Sequence, residues 1–170
     1  MLKALKCLHA KNQRATFILL GDGTDLASLK AEATQLGVSH MVRFVGRVPH
    51  KDVQRYYSLF DAFVLPRIDA AVCRIVTPLK PLEAMAMAIP LVVSDLPALT
   101  ELLDGGRSGV SFRADDAIDL AEKLESLMMN PTLGIRMGQY GREWVERNRE
   151  WKPLAMKTSE IYRAQLNGRH

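Results

Sequence analysis

Residues 77–86 read Thr-Pro-Leu-Lys-Pro-Leu-Glu-Ala-Met-Ala, and the apolar run Pro-Leu-Val-Val-Ser follows at 90–94. The first segment predicts a turn that leads into a helix after Pro81, because proline suits a first helical turn, where its missing N–H is not needed. Leu82, Met85, Ala86 and Ile89 recur at helical spacing as its buried stripe. The second segment is typical of a strand covered on both faces. A helix followed at once by a buried strand indicates an α/β fold.

The same alternation continues on both sides of this unit. Strands are predicted at residues 15–20, 42–45, 62–65, 90–94 and 109–112, with helical patterns between them. This order predicts a Rossmann-like, doubly wound parallel sheet flanked by helices, with ligands bound beyond the carboxyl ends of the strands. Residues 1–170 are expected to form one domain that closes with terminal helices over 131–170. The chain opens in a helical pattern, with Leu2, Leu5 and Leu8 on its apolar face, so we expect the first strand of such a fold to precede Met1. Asp115 and Asp116 are expected to cap a later helix, with Ile118, Ala121, Leu124 and Met128 on its buried face.

Composition narrows the class of protein further. With 170 residues, 48% hydrophobic and 25% charged, the chain fits one globular domain and not two. It has no apolar run of about 18 residues and no signal-peptide pattern, which predicts a cytoplasmic protein. A net charge of +4 and a pI near 9.2 fit anionic nucleotides or an anionic membrane surface. The positive charges are dispersed, so nucleic-acid binding gains no support. Cys7 and Cys73 are expected to be reduced.

Two charged residues of the opening segment favour a ligand site. Lys80 and Glu83 are three residues apart, so they point the same way from a helix. A cation beside free backbone N–H groups would hold a phosphate, and a carboxylate would accept hydrogen bonds from sugar hydroxyls. The pattern predicts a nucleotide or nucleotide-sugar site. The alternatives remain open that Glu83 only stabilises the helix dipole and that Lys80 is a solvated surface cation.

A series of short motifs in a fixed order carries a family resemblance. They are Leu20-Gly-Asp-Gly23, Phe44-Val-Gly-Arg-Val48, Asp61-Ala-Phe-Val-Leu-Pro66, Leu82-Glu-Ala-Met-Ala86, Pro90-Leu-Val-Val-Ser-Asp95, and Glu101 followed by Gly109. Each is weak alone, but six in order are a strong signal. The chain resembles the C-terminal, nucleotide-sugar-binding domain of the family 4 retaining glycosyltransferases of the GT-B fold. The resemblance covers nearly the whole sequence.

The resemblance implies roles for particular residues. Glu83 would hold the ribose hydroxyls of the nucleotide, and the backbone at Arg47 and Val48 would meet the base. The family often has a second glutamate, separated from this one by seven intervening residues, and here that position is occupied by Ile75. The candidates for the leaving diphosphate, and hence for catalysis, are Lys80, Arg67 and Arg74, although an ion pair with Asp69 would explain either arginine equally well. The donor-binding set is completed by Gly21, in a tight turn at the ligand edge, and by Thr77, Pro78 and Leu79.

Metal chemistry is not expected. The four histidines, His9, His40, His50 and His170, have no zinc-site spacing, and the sequence has no Asp-x-Asp pair. We therefore predict a metal-independent reaction with no cofactor beyond the NDP-sugar donor, such as a UDP- or GDP-sugar. Trp144 and Trp151 are expected to anchor the terminal helices in the core, with a base-stacking platform as the alternative. Partial exposure of both is a further alternative, because this region contacts the partner domain in complete GT-B enzymes.

The resemblance thus implies retaining transfer of a glycosyl group from the donor to an acceptor glycan or lipid. The acceptor would be supplied by an N-terminal GT-B domain absent from this chain, so the chain alone is expected to bind donor without turnover. Peripheral contact with the inner face of the membrane is compatible with the basic charge. Two alternatives stay open, a non-catalytic nucleotide-binding or assembly module and a sugar-nucleotide epimerase of the same fold.

Overall fold

The computed structural model describes residues 1–167, without the side chains of 152–154 and 167. Residues 168–170, which include His170 and the end of the predicted 131–170 region, lie outside the described residues. The helices are α1 (Leu2–Ala10), α2 (Leu26–Gln35), α3 (His50–Tyr57), α4 (Ala71–Ile75), α5 (Leu79–Ala86), α6 (Pro97–Thr100), α7 (Ala117–Met129), α8 (Pro131–Asn148) and α9 (Trp151–Asn167). Short 3-10 turns cover Ser39–Met41 and Glu101–Leu103. The strands are β1 (Phe17–Leu20), β2 (Val42–Gly46), β3 (Phe63–Leu65), β4 (Leu91–Ser94) and β5 (Gly109–Phe112).

Every described strand pairing is parallel, which confirms the predicted fold class. The strands form two sheets, with the orders β1-β2 and β3-β4-β5. Phe17 lies opposite Val42 in the first sheet, and Val92 lies between Val64 and Val110 in the second. The single continuous sheet that the alternation suggested is therefore divided, because within residues 1–167 β1 pairs only with β2 and β3 pairs only with β4. The strand expected before Met1 stays a prediction.

The central strand β4 separates two apolar cores. All four of its residues are buried, and alternate side chains point to opposite faces, as the period of a strand requires. Val92 joins the core that includes the buried faces of α1 and α7. Leu91 and Val93 join the other core, which includes residues of α5 and α6. Burial on both faces explains why the strand reads as a continuous apolar run.

The predicted apolar face of α1 is confirmed, and of the two predicted caps of α7 Asp116 is confirmed. Leu2, Leu5 and Leu8 form the buried face of α1, which packs against α7. The side chain of Asp116 caps α7 by accepting hydrogen bonds from the backbone N–H groups of Ile118 and Asp119, each at 2.9 Å. Such a cap satisfies two donors that have no partner within the helix. Ile118, predicted on the buried face of α7, is 63% exposed.

Other helix expectations need correction. Helix α5 begins at Leu79 and not after Pro81, so Glu83 lies in its second turn and is less favoured by the helix dipole than predicted. Ala86 is exposed, because the buried face of α5 is set by Pro81, Ala84 and Met85. The segment between β3 and α5 is not wholly irregular, because residues Ala71–Ile75 form the short helix α4.

The C-terminal helices differ in how they contact the fold. Helix α8 packs on α5, and Trp144 is half-buried against the second core, as predicted. Trp151 on α9 is 79% exposed, so the prediction that it anchors the core is wrong. All side chains described from 155 to 166 are exposed as well. None of the helices described in residues 1–167 is long and apolar enough to span a membrane.

Candidate functional site

The carboxyl ends of β3 and β4 are held together by one hydroxyl group. Ser94, the last residue of β4, is fully buried. Its Oγ accepts a hydrogen bond from the backbone N–H of Arg67 at 2.8 Å and donates one to the Arg67 carbonyl at 2.9 Å. Both backbone groups of Arg67 are thereby satisfied, which fixes where the chain leaves β3. The segment from Arg67 to Lys80 therefore begins at a fixed position beside the carboxyl ends of these strands.

Glu83 is tied to a neighbouring helix by Tyr57, the last residue of α3. The Tyr57 hydroxyl donates to Glu83 Oε2 at 3.0 Å and lies 3.4 Å from the Lys80 carbonyl oxygen. Tyr57 is 5% exposed, whereas Glu83 and Lys80 are exposed. A buried group therefore holds one oxygen of the Glu83 carboxylate, although Glu83 itself is exposed.

Burial of the hydroxyl and its hydrogen bond to the Glu83 carboxylate raise the pKa of Tyr57 well above its ordinary value. The phenol therefore keeps its proton at neutral pH and acts as a donor to the carboxylate. A donor on one oxygen leaves the other oxygen of Glu83 free to accept hydrogen bonds from a ligand.

The three predicted catalytic cations lie in the segment from β3 to α5 but differ in their partners. Arg74 donates to both carboxylate oxygens of Asp69, which is the ion pair that the sequence left open. This pairing lowers the pKa of Asp69 and raises that of Arg74. Arg67 is exposed and directs Nη1 toward Cys73 Sγ at 3.9 Å. Lys80 is exposed in the first turn of α5. The leaving-group role of all three stays a prediction.

The turn before α5, at Thr77 and Pro78, was also predicted to bind the donor. Pro78 is the N-cap residue, with extended dihedral angles of φ −74° and ψ 154°. Thr77 and Pro78 are half-buried, and Leu79 is 63% exposed. Ile75, at the position of the missing glutamate, is 78% exposed and offers only an apolar side chain. The side chain of the N-cap residue makes no hydrogen bond to the first N–H groups of α5, which begin after this partly packed turn.

Gly21, Arg47 and Val48 form a second group, at the carboxyl ends of β1 and β2. The Gly21 N–H donates to the Gly46 carbonyl at 2.8 Å, which joins the two strand ends. Gly46 has φ +80°, a conformation that favours glycine, and it turns the chain toward Arg47. Arg47 is exposed and Val48 is half-buried. The predicted donor-binding residues thus lie in two groups, each at strand ends.

Two residues of the site were not predicted as such. Tyr57 lies in a segment for which only a helical pattern was predicted, and Ser94 was predicted only as the end of a strand. A usable signal existed for both, because a buried Tyr hydroxyl and a buried Ser usually need a hydrogen-bond partner. The sequence does not say which partner, since Tyr57 and Glu83 are 26 positions apart. No group of three His, Cys, Asp or Glu side chains suited to a metal occurs in the part of the chain described.

The sequence matches the family described as glycosyl transferases group 1 over residues 1–144. The chain belongs to this family. The matched region covers the five strands described in residues 1–167 and ends within α8, so it contains every residue of the candidate site.

Curated relatives agree with this assignment, and a solved structure shares the fold. The chain is 29% identical to a glycogen synthase of Mycobacterium tuberculosis, over 97% of this chain and 39% of that protein. It is 31% identical to a D-inositol 3-phosphate glycosyltransferase of Corynebacterium jeikeium, over 91% of this chain and 36% of the relative. The fold superposes with a TM-score of 0.79 on Anabaena Alr3699/HepE in complex with UDP-glucose, with 17% identity, over 96% of this chain and 44% of that one.

These matches define the part of the fold that the chain represents. The chain spans about two fifths of the length of these relatives. Its structure corresponds to the C-terminal domain of a GT-B glycosyltransferase.

Proposed function

We propose that this domain binds the nucleotide-sugar donor of a retaining glycosyltransferase. The observation that carries the proposal is the placement of Glu83, an exposed residue whose carboxylate is held by Tyr57 and which follows exposed Lys80 by three positions on α5. A fixed acceptor next to a cation suits a ribose joined to a phosphate. Family membership and the fold shared with a protein that holds UDP-glucose support the same ligand class.

We assign each part of the donor to a different group of residues. Glu83 accepts hydrogen bonds from the ribose hydroxyls, and the backbone at Arg47 and Val48 contacts the base. The Gly21 turn and the backbone from Thr77 to Leu79 line the diphosphate. These contacts position the donor at the shared edge of the parallel strands, where ligands of doubly wound folds bind.

Catalysis by this half is electrostatic. When the bond between the sugar and the diphosphate breaks, negative charge grows on the leaving nucleoside diphosphate. Lys80 and Arg67 stabilise that charge, and Arg74 joins them when its pairing with Asp69 exchanges for the phosphate. Cationic side chains placed this way replace the charge that a divalent metal would supply, so we propose a metal-independent reaction. Donor binding should then be the same in buffer with EDTA and in buffer with Mg²⁺.

The acceptor glycan or lipid, and the remaining catalytic groups, are assigned to the rest of a full-length enzyme of the length seen in the relatives. The isolated chain is expected to bind donor without transferring its sugar. A cytoplasmic enzyme that meets its acceptor at the inner membrane face fits the basic charge of the chain.

Calorimetric titration with UDP, GDP, UDP-glucose and GDP-mannose tests this function. One nucleotide should bind, and Glu83→Ala should weaken it by about 1–3 kcal/mol, the effect of losing hydrogen bonds to a charged group. Glu122→Ala, which removes an exposed glutamate of α7, is the matched control and should leave binding unchanged. If none of the four ligands binds, the domain has no working donor site, and the non-catalytic assembly module becomes the better reading.

A further inference from the structure

We infer that Tyr57 is a positioning residue of the donor site, which orients the Glu83 carboxylate toward the ribose through the hydrogen bond from its hydroxyl. The inference rests on the proposed ribose contact of Glu83 and adds the group that makes this contact selective. Tyr57 itself does not touch the ligand.

The first support is that the Tyr57 ring has a fixed place. It is buried, with Phe60 in edge-to-face contact at 5.7 Å between ring centroids and Phe63 of β3 at 5.9 Å. Aromatic contacts of this kind resist rotation of the ring. The hydroxyl therefore leaves the apolar core at one defined point, where it meets Oε2 of Glu83 at 3.0 Å.

The second support is the geometry that this contact imposes on a long side chain. An exposed glutamate without a partner samples several rotamers, and fixing it on ligand binding is unfavourable. The hydrogen bond from Tyr57 holds Oε2, and Glu83 is exposed, so Oε1 is left to accept hydrogen bonds from a ligand. Two adjacent ribose hydroxyls then meet an acceptor already in place, as preorganised binding requires.

A purely structural role for Tyr57 has to be separated from this one, because the hydroxyl also lies 3.4 Å from the Lys80 carbonyl and links α3 to α5. The two roles differ in one observable. Loss of a structural link weakens every nucleotide equally. Loss of carboxylate orientation weakens only those nucleotides that carry the ribose hydroxyls.

The experiment measures ribose discrimination. Dissociation constants of UDP, GDP and their 2′-deoxy and 3′-deoxy analogues are determined for the unsubstituted chain, Tyr57→Phe and Tyr56→Phe. The dissociation constant of the deoxy nucleotide divided by that of the normal nucleotide should exceed one in the unsubstituted chain. This ratio should fall by about 2- to 10-fold in Tyr57→Phe, the range expected for one hydrogen bond. Tyr56→Phe removes the hydroxyl of the half-buried neighbour on α3 and should keep the ratio unchanged.

The outcomes separate this inference from the proposed function. If Tyr57→Phe weakens normal and deoxy nucleotides by the same factor, Tyr57 is only structural and the inference is overturned, while donor binding stands. If the unsubstituted chain binds no nucleotide, or binds normal and deoxy forms equally, the ribose contact of Glu83 fails and the inference fails with it.

A second variant covers the case in which Tyr57→Phe does not melt cooperatively. A fluorinated tyrosine at position 57 keeps the ring and the hydroxyl but makes the phenol more acidic. The charged group acting on this hydroxyl is the Glu83 carboxylate, with Lys80 in the preceding turn of α5. The pH is raised while absorbance reports ionisation of this phenol. Once the phenol has lost its proton it cannot donate to Glu83, and ribose discrimination should disappear. Discrimination that persists after ionisation contradicts the inference.

Discussion

Gly138 of α8 shows how closely the C-terminal half of the chain is packed. A Cβ atom built at this position would lie 1.9 Å from the backbone carbonyl oxygen of Ala88, which follows α5. Backbone cannot move away as a flexible side chain would. The contact of α8 with α5, the helix that carries Lys80 and Glu83, therefore requires glycine at this point.

Gly138→Ala should destabilise the protein by about 1–3 kcal/mol, because the added methyl forces α8 away from Ala88. Urea denaturation measures the change. Gly134→Ala is the matched control on the same helix, where the nearest atom is 3.8 Å away, at Pro90. This control should stabilise by about 0.5–1 kcal/mol through helix propensity. Equal effects of the two substitutions would contradict the packing argument.

A second prediction at this scale concerns the cap of α7. Asp116→Ala should destabilise the protein by about 0.5–2 kcal/mol, because the N–H groups of Ile118 and Asp119 lose their acceptor. Asp25→Ala is the comparison, since Asp25 is the N-cap residue of α2 but its side chain makes no capping hydrogen bond. Thermal melts of the two variants should therefore differ, and a loss of the same size in both would show that the cap is not the cause.

At the scale of elements, the junction between β5 and α7 depends on one carboxylate. The side chain of Asp119 is 12% exposed, and its Oδ2 accepts the Arg113 N–H at 2.7 Å just after β5 ends. That hydrogen bond, with smaller contributions from Lys123 and the Arg113 side chain, lowers the pKa of Asp119 below its ordinary value. The ionised form is thus favoured by the fold.

The pH dependence of stability follows from this direction. A carboxyl group whose pKa is lower in the folded state stabilises the protein above its unfolded pKa of about 4, and that contribution is lost as pH falls through the folded pKa. Asp119→Asn should therefore be less stable than the unsubstituted chain at pH 7. The difference in free energy of unfolding should shrink below about pH 4. A constant difference across this range would show that the charge of Asp119 contributes nothing.

The link between sequence and structure is also clearest at the scale of elements. The strands were predicted to within two residues, and the Asp116 cap and the Leu2–Leu5–Leu8 face were predicted correctly, because these features depend on neighbouring residues. The start of α5 was misplaced, since Pro81 is acceptable at both the first and the third helical position. The Tyr57–Glu83 contact and the division of the sheet were beyond such reasoning, because each depends on partners distant in the chain.

For the molecule as a whole, α9 stands apart from the two cores. Its side chains described from 155 to 166 are exposed, including Tyr162 at 67% and Leu166 at 71%, and the family match ends before it begins. A chain truncated after Glu150 should therefore keep its free energy of unfolding within about 0.5 kcal/mol, as surface changes do. A chain truncated after Glu143 is the control, because it also loses half-buried Trp144 and buried Val145. Equal losses in both chains would place α9 in the core.

Because the strands are divided into two sheets, we expect the backbone hydrogen bonds of β4 to open less often than those of β1. Residues of β4 lie between two partner strands and are buried, whereas β1 has one partner among the described strands and half-buried side chains. Helix α1 shares an apolar core with both sheets. Amide protons of Val92 and Val93 should exchange with deuterium only when the central sheet opens. Those of β1 should exchange sooner, by an opening that leaves the residues around Glu83 intact.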